Sequence, residues 1–133
     1  DEVRPALAAA GLTLITLLAP TTPPARTRRL AATAGGYIYY VSMTGVTGTQ
    51  AVSPAAVRAA VEELKGLTDV PVAVGFGITT AADARAVGAF ADGVVVGSAL
   101  VRIIAAQGGG PALLPAVAAF TRELKQGMRR SAD

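Results

Sequence analysis

Cysteine and histidine are both absent from this 133-residue chain. Without cysteine there are no disulfides, no thiolate nucleophile and no zinc–thiolate site. Without histidine the commonest general base and metal ligand is missing. Aromatics make up only 5% of the residues and do not interleave with the basic ones. The net charge of +3 is spread among helices, with Arg26, Arg28 and Arg29 in one, Arg58 and Lys65 in another, and Arg129 and Arg130 at the end. That distribution reads as solvated helix faces and not as a nucleic-acid patch. Long apolar runs are also lacking. Although 52% of the residues are hydrophobic, no run approaches ~18 residues, so no membrane span is expected. The chain starts with Asp1, Glu2 and Arg4 and passes into helical periodicity, so no signal peptide is expected either. These traits fit a cytoplasmic protein.

What is present is a repeated strand-to-glycine pattern. In GYIYYVSMTGVTG (Gly36 to Gly48), Ile38, Tyr39, Tyr40 and Val41 favour a half-buried strand. Ser42, Thr44, Thr47 and Thr49 then mix with Gly45 and Gly48, and the apolar period ends. VPVAVGFGITT (Val70 to Thr80) and DGVVVGSAL (Asp92 to Leu100) repeat the pattern. An earlier segment, Leu12 to Ala19, is nearly all apolar, as expected of a parallel strand covered on both faces.

Helical signals alternate with these strands. Glu2 to Ala10 stops at Gly11. Thr21 or Thr22 can cap a helix that accepts Pro23 and Pro24 in its first turn and ends at Gly35–Gly36. The open loop that begins at Ser42 is expected to run to about Val52. Ser53-Pro54 opens the best helix, with Val57, Val61, Leu64 and Leu67 on one stripe. Thr80 with Asp83 resembles a capping box and starts a helix to Phe90. Gly97-Ser98 leads into a helix through Ile104, and Pro111 starts the last one. The order α-β-α-β-α-β-α-β-α-α predicts an α/β fold of βα repeats with a parallel sheet, in a single domain over 1–133.

Glycine where a strand turns into a helix lets an anion approach bare N–H groups, and a serine hydroxyl adds a donor. Gly97-Ser98 occupies such a place, and Gly77 and Gly48 would line the same spot from neighbouring strands. A lone Gly-Ser pair is far more often a plain turn. Three glycine-ended strands in succession favour a phosphate-bearing ligand. The nine carboxylates are Asp1, Glu2, Glu62, Glu63, Asp69, Asp83, Asp92, Glu123 and Asp133. None is expected free at a strand's C-terminal end, so no general acid or base is evident. Tyr39 is a polar ring near the site or a core tyrosine. Phe76 walls an apolar substrate group or fills core.

YYVSMTGVTG (Tyr39 to Gly48), PVAVGFGI (Pro71 to Ile78), ADGVVVGSAL (Ala91 to Leu100) and LITLLAPTTP (Leu14 to Pro23) together resemble the tryptophan synthase alpha subunit family. The resemblance implies a (β/α)₈ barrel that cleaves indole-3-glycerol phosphate to indole and glyceraldehyde 3-phosphate. It implies no metal or organic cofactor of its own, and a beta subunit partner that carries pyridoxal phosphate. By resemblance, Gly48, Gly77, Gly97 and Ser98 hold the substrate phosphate. Tyr39 and Phe76 line the pocket, and Thr47 sits on a loop closing over it. A full barrel needs ~250 residues, and the four strands here match the family's last four. The family's catalytic Glu and Asp come from the earlier part and have no counterpart. The expectation is a half-barrel that keeps the phosphate grip, is inactive alone, and exposes two strand edges that a homodimer could close. The alternative is a stand-alone or engineered phosphate-binding or scaffold module that self-assembles.

Overall fold

The computed structural model describes residues 3–44, 50–51, 53–75 and 77–128. Helices and strands alternate: α1 (Val3–Ala9), β1 (Thr16–Leu18), α2 (Pro24–Ala31), β2 (Ile38–Val41), β3 (Met43–Thr44), β4 (Gln50–Ala51), α3 (Pro54–Leu67), β5 (Val72–Gly75), α4 (Ala81–Gly88), β6 (Gly93–Val95), α5 (Ser98–Gln107) and α6 (Leu113–Gly127). Four strands form one parallel sheet in the order β1-β2-β5-β6. β1 and β6 are its edges. The alternating pattern thus yields the parallel βα architecture that the sequence predicts.

Period-two alternation divides the sheet into two unlike faces. Leu18, Ile38, Tyr40, Val72 and Val74 are buried and pack with Val57, Val61 and Leu64 of α3 in one core. Val61 and Val72 have no exposed surface, and burying a side chain of that size contributes ~1.5–3 kcal/mol. On the other face, register joins Leu17 to Tyr39, Tyr39 to Ala73 and Ala73 to Gly93 in a row across all four strands. That face is only partly covered, and Leu17 is 58% exposed. A first strand buried on both sides is therefore corrected to one buried on the helix side only.

α3 is fixed at both ends. The Ser53 hydroxyl accepts from the Ala56 amide at 3.3 Å, with Pro54 in the first turn. Near its C-terminus, Lys65 Nζ lies 2.6 Å from Asp92 Oδ1. Asp92 Oδ2 accepts from the Val72 amide at 2.9 Å. The Arg58 guanidinium stacks 4.8 Å from the Phe90 ring centre. Asp92 is thus a tie at the start of the strands, on the rim away from the glycine loops.

Several boundaries differ from expectation. β1 covers three residues, because pairing with β2 begins only at Thr16, and Leu12 is 59% exposed. Neither Thr21 nor Thr22 caps α2. Pro23 takes the N-cap position without a side-chain bond, and Thr22 Oγ1 accepts from the Ala19 amide at 3.0 Å. α2 ends at Ala31, short of the glycine pair. The expected loop to Val52 contains the antiparallel pair β3–β4. The last helix starts at Leu113, after Ala112 as N-cap, and not at Pro111.

Candidate functional site

Two of the glycine-ended strands finish side by side. Gly75 of β5 pairs with Val95 of β6. Gly77 and Gly97 each lie two residues beyond that pair, so both sit on the rim where the strands end. Gly77 has φ 77°, a conformation that L side chains rarely adopt. The space where a Cβ would stand is open at both Gly77 and Gly97. Both glycines are exposed, as is Ser98, the first residue of α5.

The two helices that start at this rim have different N-termini. α4 has its N-terminus filled by its own carboxylate. Asp83 Oδ2 accepts from the Thr80 amide at 2.8 Å, the Thr79 amide at 2.9 Å and the Thr79 hydroxyl at 3.1 Å. Thr80 Oγ1 accepts from the Asp83 amide at 3.1 Å, completing a capping box with Asp in the place of Glu. α5 has no acidic residue in its first turn, and Gly97 supplies no side-chain cap. Its first intrahelical bond from this end runs from the Val101 amide to the Gly97 carbonyl at 3.1 Å. The Ser98, Ala99 and Leu100 amides belong to the turn that has no intrahelical acceptor. Amides and helix dipole together favour an anion there.

Tyr39 lies on the partly covered face, and its ring lies across the end of β5. A Cβ placed on Gly75 would overlap that ring. Tyr40, its neighbour, points into the helix-side core and is buried. Ser42 holds the same strand end from the other side of the chain: its amide and its hydroxyl each donate to the Gly75 carbonyl at 3.0 Å. Gly75 and Ser42 thus join Tyr39 to the rim, and sequence reasoning singled out neither for this role. The signal for Gly75 was a glycine closing a β-branched run beside a bulky aromatic strand. Gly48, Thr47 and Phe76 fall outside the described residues.

Acid–base groups are sparse at this rim. Glu62, Glu63 and Glu123 lie on exposed helix positions, and Asp69 precedes β5. Asp83 lies in the first turn of α4, and hydrogen bonds led by the Thr79 amide hold its carboxyl below the usual carboxylate range. Among the described residues no group of three or more His, Cys, Asp or Glu could hold a metal ion. No described helix is long and apolar enough to cross a membrane.

The lowered Asp83 pKa gives stability a pH dependence. The folded value lies below the unfolded one. The stabilisation is therefore fully present above the unfolded carboxylate pKa and is lost as pH falls through the folded value. Asp83→Ala is expected to cost ~1 kcal/mol at neutral pH, and the gap from the unchanged chain is expected to narrow below about pH 4. Urea titrations at pH 7 and pH 3 check this; an equal gap at both would refute it.

The family model for the tryptophan synthase alpha chain matches residues 1–129. The tryptophan synthase alpha chain of Rhizorhabdus wittichii is 47% identical over 129 residues, covering 97% of this chain and 47% of that one. The alpha chain of Methylococcus capsulatus is 51% identical over 105 residues, covering 79% of this chain and 39% of its own length. The crystal structure of the Legionella pneumophila alpha chain superposes with a TM-score of 0.80 at 31% identity, over 100% of this chain and 48% of that one. Tryptophan synthase from M. tuberculosis in its aminoacrylate-bound form gives 0.78 at 32% identity, over 97% and 45%. The chain spans about half the length of the curated relatives it matches. Four parallel strands, three glycine-ended motifs and the family match over residues 1–129 establish that it belongs to the tryptophan synthase alpha chain family.

Proposed function

We propose that this chain is the ligand-holding, C-terminal half-barrel of a tryptophan synthase alpha chain, a single domain over 1–133. It grips the phosphate of indole-3-glycerol phosphate and lacks the groups that move protons during cleavage. The observation that carries this is the shared rim: the Gly75–Val95 pair sets Gly77 beside Gly97-Ser98, at the uncapped N-terminus of α5. Gly48 belongs to the same phosphate grip, and Tyr39, Phe76 and Thr47 line the substrate pocket. The chain works without a metal or organic cofactor of its own, in the cytoplasm, and the complete barrel pairs with the beta subunit.

Glycerol 3-phosphate, the part of the substrate that carries the anion, tests this. Calorimetric titration is expected to show one saturable site. Gly97→Asp, which puts a carboxylate at the helix N-terminus, is expected to weaken it about tenfold or more. Equal binding by both would overturn the assignment.

The open strands support a further role for self-assembly. Among the described residues, the edges β1 and β6 each have one neighbour in the sheet. An apolar groove bordered by Val94, Val96, Leu100, Phe120 and Met128 runs beside β6. Two copies pairing at these edges would close eight strands and cover Leu17. This favours the second reading, a half-barrel module that self-assembles. Light scattering at micromolar concentration is expected to give a dimer or larger species, and a well-behaved monomer would contradict it.

A further inference from the structure

Gly75 ends β5, and Gly77 follows two residues later on the rim. Neither carries a side chain that would narrow its backbone choices. Amides hold an anion well only when their directions are set before it arrives. The turn must therefore be fixed from outside its glycines, and it is anchored on both sides of Gly77. Downstream, Ile78 is buried, and the Thr79 amide and hydroxyl donate to Asp83 Oδ2 at 2.9 and 3.1 Å. Upstream, the Gly75 carbonyl accepts from both the amide and the hydroxyl of Ser42, each at 3.0 Å.

The two Ser42 bonds differ in origin. The amide bond continues the parallel ladder: the Ile38 amide donates to the Pro71 carbonyl at 2.8 Å, four residues earlier on each strand. The hydroxyl bond belongs to no ladder and comes from the side chain alone. A peptide held by one bond still pivots about it. A second donor on the same oxygen uses its other lone pair and fixes the peptide plane from which the chain runs on to Gly77. Gly77 itself has φ 77° and open space where a Cβ would stand, so no neighbour crowds it into place there.

We propose that the Ser42 hydroxyl is a positioning group for the anion site, setting the direction of the Gly77 amide through the Gly75 carbonyl. Ser42 acts through Gly77 and is not itself a ligand contact. The inference rests on the phosphate-holding reading of the rim and adds to it a side chain from the end of the neighbouring strand, β2.

Ser42→Thr and Ser42→Val differ only by a hydroxyl against a methyl group, and both have the β-branched shape that suits a strand end. That pair decides the matter even if Ser42→Ala unfolds. The ¹⁵N-labelled chains are titrated with glycerol 3-phosphate. Ser42→Ala and Ser42→Val are expected to bind about fivefold more weakly than the unchanged chain, the scale of one hydrogen bond, and Ser42→Thr within about twofold of it. At saturation the Gly77 amide shift is expected to shrink in Ser42→Val while the Ser98 shift keeps its size; a loss of stability alone would leave both at full size. Equal affinity and equal Gly77 shifts for Ser42→Val and Ser42→Thr would overturn this inference and leave the phosphate grip standing. No saturable binding by the unchanged chain would overturn both.

Discussion

Indole-3-glycerol phosphate incubated with this chain alone is expected to release no indole above background. Adding a polypeptide with the N-terminal half of a relative is expected to raise the rate ~10³-fold or more, since one positioned acid–base group contributes ~10²–10⁴-fold. The reason is an inventory of carboxylates. Asp92 is tied to Lys65 and the Val72 amide at the far rim. Asp83 spends its acceptor oxygen on Thr79 and Thr80, and its lowered pKa makes it a poor base. Glu62 lies 3.8 Å from Arg58 on an exposed face of α3. These engagements are why no indole release is expected from the chain alone. Turnover by the chain alone would refute this reading at once. Failure of the mixture would instead count against closure of a barrel from two separate pieces.

Gly127→Ala is expected to cost about 1–3 kcal/mol, the range for forcing a methyl group into a filled site. α6 docks against α4, and Gly127 is buried at that crossing. A Cβ there would stand 2.5 Å from the Ala81 carbonyl oxygen and 3.2 Å from its carbon. Those are backbone atoms at the start of α4, held by the Thr80–Asp83 cap, so they cannot swing aside. The same crossing contains a control. A Cβ on Gly88 would meet Met128 atoms at 3.5 Å, ordinary contact. Gly88→Ala is therefore expected to be neutral or to gain up to ~1 kcal/mol from helix propensity. Urea denaturation of the two variants should move the midpoint in opposite directions or move only the first. A larger loss for Gly88→Ala would contradict the packing described here.

Much of this was legible in the chain itself, for identifiable reasons. The α3 stripe of Val57, Val61 and Leu64 was readable because long helices repeat their period several times. The Thr80–Asp83 cap was readable because its residues are local in sequence. Thr22 misled because its hydroxyl turns back to Ala19 and not forward to α2, a choice that depends on the turn after β1. Leu12 to Ala19 was read as too long and as doubly covered. Apolar composition does not say where a neighbour's register begins, nor that Leu17 faces outward from the helices. Alternation put Tyr39 and Tyr40 on opposite faces, but only packing against α3 decides which of them is core. The β3–β4 pair has two residues in each strand, too few to show a period. At the site, the sequence marked Gly77, Gly97 and Ser98. It could not show that Gly75 underlies Tyr39 and is bound by Ser42, because those contacts join residues more than thirty positions apart.

The amides themselves give the most direct test that anion-holding survives in this half without its acid–base partner. ¹⁵N-labelled chain titrated with glycerol 3-phosphate is expected to show saturable shifts at Gly77, Gly97 and Ser98, while Thr80 and Asp83, already bonded to each other, move little. Shifts spread over the arginines of α2, with Gly97 and Ser98 silent, would contradict it.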